Sequence, residues 1–169
     1  MHHPRICQLA NTAERFSERE EASDAVKISS LRELSPKSLP EHRDSLSAVT
    51  YRRAQHIVNE NQRVLDAAKA LRTEGPESLG EILSASQASL RDDYDASGKE
   101  IDLAVETCLA QGAYGARMTG LGESGALYAL VDENNLSLLQ VALDGAFTEH
   151  GYQAPATYVV GPSRGALRH

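Results

Sequence analysis

Residues Tyr114–Val131 read Tyr-Gly-Ala-Arg-Met-Thr-Gly-Leu-Gly-Glu-Ser-Gly-Ala-Leu-Tyr-Ala-Leu-Val, and the reading of this stretch decides the fold. Two strand-like runs, Tyr114–Thr119 and Ala126–Val131, flank the loop Gly120-Leu121-Gly122-Glu123-Ser124-Gly125. Glycine accepts positive φ and lets a backbone come close to another group. Successive N–H groups in such a turn can converge on one anion. The same residues also suit a hairpin turn that binds nothing. No Lys-Ser/Thr follows the loop and no helix starts there, so neither the P-loop nor the dinucleotide-binding fingerprint is met.

Downstream, Asp132 is placed to cap a helix running to about His150, with Leu136, Leu139, Leu143 and Phe147 on one face and Gly151 past its end. Pro155 precedes an expected last strand, Thr157–Val160. Upstream, a helix over about Glu100–Gln111 turns Ile101, Ala104, Val105, Cys108 and Leu109 inward, and Gly112 suits its C-cap. Before it, Pro76 opens a helix whose apolar stripe is Leu79, Ile82, Leu83, Ser86 and Leu90. That helix ends in Arg91-Asp92-Asp93-Tyr94. Adjacent helical residues point about 100° apart, so Asp92 and Asp93 do not share a proton or an ion, and a charge cluster tied to Arg91 is expected.

From about Leu46 to Arg72, Ala54, Ile57, Val58, Leu65, Ala68 and Leu71 keep the rhythm of one buried helical stripe, which Gly75-Pro76 stops. Asn61 lies on that stripe and should have a buried hydrogen-bond partner, and His56 reads as a satisfied structural histidine. Cys7–Ala25 favours helix but carries few apolar residues at helical spacing, and Ser35-Pro36 and Leu39-Pro40 break the chain into short turns. The order of helices and strands is that of an α+β fold, with helices packed on a small antiparallel sheet. Residues 1–45 form an N-terminal helical arm and 46–169 the folded domain.

Composition narrows the function. The 169 residues allow one domain that buries roughly 70 % of its unfolded surface. With 17 Lys+Arg against 24 Asp+Glu the net charge is −7, which argues against broad nucleic-acid binding but leaves room for a small anion held by backbone amides. Cys7 and Cys108 lack metal-ligand spacing and read as reduced structural residues in a cytoplasmic setting, and His2 and His3 do not form a metal site. No apolar run approaches the ~18 residues of a membrane span, and no signal-type segment opens the chain.

Several stretches together resemble one family. Tyr51-Arg52-Arg53-Ala54-Gln55-His56-Ile57-Val58-Asn59-Glu60-Asn61-Gln62-Arg63-Val64 is similar to the long helix of galactokinases, Arg-Ala-x-His-Val-x-x-Glu-Asn-x-Arg. Ser86-Gln87-Ala88-Ser89-Leu90-Arg91-Asp92-Asp93-Tyr94 resembles the segment Ser-His-x-Ser-Leu-Arg-Asp-Asp-Tyr, and Glu100-Ile101-Asp102 the Pro-Glu-Leu-Asp after it. Gly115-Ala116-Arg117-Met118-Thr119-Gly120 is similar to the signature Gly-Ala-Arg-Met-Thr-Gly-Gly-Gly-Phe-Gly-Gly. The resemblance runs from about Tyr51 to Val160. It implies a ferredoxin-like C-terminal domain of the GHMP kinase superfamily (galacto-, homoserine, mevalonate and phosphomevalonate kinases). Full-length relatives use ATP and Mg²⁺ to phosphorylate the anomeric hydroxyl of galactose between two lobes.

The residues that differ matter as well. The Gly-Glu-His-x-Asp-Tyr sugar signature and the Pro-x-Gly-x-Gly-Leu-Ser-Ser-Ser phosphate loop are not found, and the family's catalytic aspartate and arginine have no counterpart here. The resemblance therefore assigns no catalytic residue and no metal ligand. It places Thr119, Gly120, Gly122, Ser124 and Gly125 near the phosphates, with Arg117 expected to fix the strand in preference to binding ligand. Leu121, Glu123, Ser124 and Ala126 depart from the signature, and Gln87 stands where the family has histidine. If residue 121 needs positive φ, leucine costs ~1–2 kcal/mol there. A Glu123 carboxylate about 5 Å from a phosphate, at an effective dielectric of about 20, repels it by roughly 3 kcal/mol per charge. The expectation is a chain inactive by itself. It either pairs with a separate N-terminal kinase lobe or serves as a binding module, and its exposed inter-lobe face invites self-association.

Overall fold

A computed structural model describes the backbone over residues 4–120 and 125–161, and side chains within those ranges from residue 13 onward. Helix α1 (Pro4–Val26) is followed by short 3₁₀ segments at Leu31–Glu33 and Leu39–Ser45. Then come α2 (Ala48–Thr73), α3 (Leu79–Asp92) and α4 (Lys99–Ala110). Strands β1 (Gly115–Met118) and β2 (Leu127–Leu130) form the hairpin, and α5 (Leu136–Glu149) follows. The fold is the expected α+β arrangement.

Local chemistry accounts for the element ends. Ser47 accepts from the Thr50 N–H at the start of α2, and Ser30 and Glu33 form a capping box on the first 3₁₀ turn. Asp132 accepts from the Asn134 N–H and starts the turn that leads into α5. Gly112 takes φ +83° after α4, and Gly151 takes +70° after α5.

β1 and β2 pair antiparallel, with Gly115 opposite Leu130 and Met118 opposite Leu127. Around them Leu90, Ile101, Val105, Cys108, Met118 and Phe147 lead the main core, drawn from α3, α4, β1 and α5. A second cluster joins Ala22 of α1, Leu31, Leu39, and Ala54 and Val58 of α2. Polar contacts also tie α1 down: Glu18 accepts from Arg53 Nε at 2.9 Å, and Glu21 from the Thr50 hydroxyl at 3.3 Å.

The seat of α3 on β1 is made by two glycines. A Cβ built on Gly80 would lie 2.2 Å from the Tyr114 carbonyl oxygen, and one on Gly115 would lie 2.1 Å from the Gly80 oxygen. Only glycine at both positions lets the backbones meet.

Three expectations need correcting. Thr157–Val160 is not a strand, because no neighbouring edge pairs with it, and Tyr158, Val159 and Val160 are all exposed. The stripe of α2 is buried only as far as Val58; Leu65, Ala68 and Leu71 are exposed because no described residue covers that face of the helix. Leu109, at the last turn of α4, is also exposed. No helix described is long and apolar enough to cross a membrane.

Candidate functional site

The hairpin carries the glycine-rich loop at one end of the sheet. Its closing hydrogen bond runs from the Thr119 N–H to the Ala126 carbonyl at 2.9 Å. Gly120 and Gly125 bracket the loop with φ of +69° and +60°, and a Cβ at either would meet nothing within 4 Å. Of the five residues expected near a phosphate, Thr119, Gly120 and Gly125 come together here, all exposed. Gly122 and Ser124 lie outside the described residues, as do Leu121 and Glu123. Open space over left-handed glycines suits an anion approaching main-chain amides. Among the described residues, no group of three or more His, Cys, Asp or Glu is placed to hold a metal ion.

Arg117 points back into the protein, away from the loop. Its Nε donates to Ser86 Oγ at 2.6 Å, Nη2 to Glu60 Oε2 at 3.3 Å and Nη1 to the Met118 carbonyl at 2.8 Å. Ser86 Oγ donates to Glu60 Oε2 at 2.8 Å, and Glu60 also accepts from Arg63 Nε. Burial raises the Glu60 carboxyl pKa, but the bonds from Arg63 and Ser86 outweigh that and leave it below its usual value. The guanidinium therefore joins α2, α3 and β1 and holds the strand.

His56 is buried, stacked on Tyr94 with ring centroids 4.4 Å apart. Ser89 Oγ donates to Asp93 Oδ2 at 2.8 Å, so its lone pair accepts from His56 Nδ1–H at 3.0 Å. Burial, opposed by the Glu60 charge, pushes the imidazole pKa down to about 4. A neutral histidine whose hydrogen bond supports α3 is structural, as its place in the sequence suggested. Asp92 and Asp93 separate as expected: Asp92 takes a two-pronged pair from Arg91 at 2.8 and 3.1 Å, while Asp93 turns to Ser89. Arg53, buried, spans Glu18 and Asp95 at 2.9 and 3.0 Å.

Cys108 is a free, buried thiol whose pKa burial pushes up to about 11, so it is an inert part of the core. Asn61 departs from expectation: its Nδ2 is buried with no hydrogen-bond partner among the described residues, beside a groove lined by α1 and the 3₁₀ segment after it. Sequence reasoning also missed Gly80. Its signal was a glycine inside a helix, which costs about 1 kcal/mol relative to alanine and implies a packing reason.

Comparison with known proteins adds identity to this geometry. Residues 67–149 match the family model "GHMP kinases C terminal". A galactokinase of Staphylococcus saprophyticus is 39% identical over 158 residues, covering 90% of this chain and 41% of that protein. One of Exiguobacterium sibiricum is 44% identical over 105 residues, 61% of this chain and 27% of that protein. The crystal structure of Lactococcus lactis galactokinase complexed with galactose superposes with a TM-score of 0.80 at 39% identity, over 84% of this chain and 38% of that one. The chain thus spans about two fifths of the length of the curated relatives it matches.

Proposed function

We propose, from the premise that this chain belongs to the GHMP kinases as a galactokinase-type C-terminal region, that it serves ATP-dependent phosphorylation of galactose at the anomeric hydroxyl as one lobe of a two-lobed site. The observation that supports this is the retained Gly115–Gly120 signature, presented on a hairpin whose Gly120 and Gly125 stand open at positive φ. Residues 46–169 make up the kinase lobe and 1–45 an arm that leads into it. ATP, when bound, supplies the phosphoryl group. Thr119, Gly120, Gly122, Ser124 and Gly125 line its phosphate side, while Arg117 holds the strand beneath them. The described residues provide no ligand set for Mg²⁺.

The 169 residues alone do not turn over, because phosphoryl transfer rests on positioning and charge neutralisation, and no general base or phosphate loop is among them. Leu121 and Glu123 further oppose phosphate approach. A coupled ADP-release assay with galactose tests this. No turnover is expected from the chain alone. Galactose-dependent turnover that survives repurification overturns the proposal. A second reading, a binding module that pairs with a separate N-terminal lobe, is favoured by the bare apolar residues Val64, Leu65 and Leu71 on α2. Recovery of turnover on adding the N-terminal lobe of the Staphylococcus saprophyticus relative supports the split-kinase form.

A further inference from the structure

Met118 ends β1, is fully buried, and stands two residues before the first glycine of the loop. Because the Thr119 N–H bonds Ala126 across the hairpin, the alternation of an antiparallel ladder turns the main-chain groups of Met118 to the outer edge, away from β2. On that edge two side chains take the bonds a third strand would otherwise make. Gln87 Oε1 accepts from the Met118 N–H at 2.9 Å, and Arg117 Nη1 donates to the Met118 carbonyl at 2.8 Å.

Both side chains are themselves held. Gln87 Nε2 donates to Ser97 Oγ at 3.0 Å, and Ser97 donates to Asp102 Oδ1 at 2.6 Å. Arg117 is fixed by Ser86 and Glu60 at 2.6 and 3.3 Å. Gln87 is 3% exposed, so water does not compete for its bond to the strand. Neighbours on α3, Ser86 and Gln87 thus control the N–H and, through Arg117, the C=O of one strand residue.

We propose that Ser86, Gln87 and Arg117 form a clamp on Met118 that sets where the glycine-rich loop leaves the sheet. Gln87 is thereby a positioning residue for a polyphosphate held at the Thr119 and Gly120 amides. The polyphosphate part rests on the function proposed above; the clamp does not. Gly120, two residues on, takes positive φ and by itself permits many exit directions, so the direction of the chain at Met118 must be fixed from outside. A displacement of about 1 Å at such a point is enough to spoil a reacting geometry.

The test uses the 169-residue chain, amide hydrogen exchange read by NMR, and titration with sodium tripolyphosphate. Gln87→Met keeps the side-chain length and removes the acceptor; Gln87→Glu keeps the acceptor. Gln87→Met is expected to speed exchange at Met118 and Gly120 at least about tenfold while amides of α2 and α4 stay within about twofold, since local opening differs from global unfolding. Gln87→Glu should restore most of the protection. Tripolyphosphate should shift the Thr119 and Gly120 amides of the parent chain, with a midpoint at least about threefold higher in Gln87→Met. Unchanged exchange at Met118, or a rise shared equally by α2 and α4, overturns the clamp. A parent chain blind to tripolyphosphate, with the local exchange effect intact, leaves the clamp standing and removes the phosphate reading. If Gln87→Met does not fold, Ser97→Ala frees Gln87 Nε2 and Asp102 Oδ1 while leaving the Gln87 acceptor in place; a local rise of about threefold at Met118 supports the clamp, and none overturns it.

Discussion

The two halves of α2 carry one apolar rhythm and meet opposite fates. From Thr50 to Val58 the helix buries Thr50, Arg53, Ala54, His56 and Val58, with α1 and its 3₁₀ segments on one side and the end of α3 on the other. From Val64 to Leu71, Val64, Leu65 and Leu71 are 67%, 64% and 51% exposed. Periodicity defines a face; only a neighbour makes it core. The buried half also carries His56 and Arg53, which reach the end of α3, and Glu60 just beyond it reaches Arg117 of β1, so this part of the helix connects to the candidate site, whereas the apolar face of the other half is left bare.

The sharpest way to break the buried half is to move α3. Its seat is the Gly80–Gly115 contact, where an added Cβ would lie 2.1–2.2 Å from main-chain oxygen. Gly80→Ala or Gly115→Ala should each cost at least about 3 kcal/mol in urea unfolding, the upper range for overpacking, because the obstacle is backbone and cannot rotate away. Gly145→Ala on α5, where a Cβ meets nothing within 4 Å, is the control, expected to be neutral or stabilising by up to about 1 kcal/mol. Equal effects at the three sites would dissolve the contact.

Acid should act on the buried half next. His56 titrates near 4 in the folded chain against 6.5 unfolded, because burial opposes its charge. Between those values the unfolded chain binds the extra proton, so stability falls as pH drops from 6.5 to about 4, by on the order of 3 kcal/mol. The charges facing His56 are Glu60 and Arg63 on its own helix, Asp93 at the end of α3 and Arg117 on β1. The Glu60 carboxyl is held below 4.5, so its contribution is lost at still lower pH, as acid protonates it in the folded state. Unfolding midpoints from pH 4 to 8 should slope for the parent chain and flatten for His56→Gln. A slope that persists in the variant assigns the effect elsewhere.

A direct pair sets the halves against each other. Val58 is 1% exposed and Leu65 is 64% exposed, though they lie on the same helix. Val58→Ala should cost about 2 kcal/mol, and Leu65→Ala less than about 0.5 kcal/mol despite removing more atoms.

These contrasts also mark how far the sequence can be read. Helix ends were legible where a cap residue declared them, as at Asp132, Gly112 and Gly151. The separation of Asp92 from Asp93 followed from side-chain geometry along a helix, while the strand-fixing role of Arg117 came only with the family resemblance. Burial of Leu65 and Leu71 was not legible, because the pattern records amphipathicity and not the partner. Thr157–Val160 has strand propensity but pairs with no described strand, and propensity alone does not make a ladder. The Met118 clamp was hidden for another reason. Gln87 and Arg117 are 30 positions apart in the chain, and only the fold reveals that both reach one strand residue.

The smallest expected effect on stability tests the bare half alone. On a helix of 3.6 residues per turn, Val64, Ala68 and Leu71 share one face with Ile57 and Asn61, and Leu65 borders it. Exposed apolar patches of a few hundred Å² bind other surfaces, so the 169-residue chain should self-associate or bind a hydrophobic dye through this stripe. Leu65→Ser with Leu71→Ser should leave the urea midpoint within the equivalent of about 0.5 kcal/mol, since both side chains keep at least half of their surface in water. The same double variant should lower dye fluorescence and shift sedimentation toward the monomer. A loss above about 1 kcal/mol would mean that some part of this chain covers the stripe, and the contrast between the two halves of α2 would fail. Unchanged stability with unchanged association would move the sticky surface elsewhere, and the bare residues of 157–160 would be tested next by the same measurement.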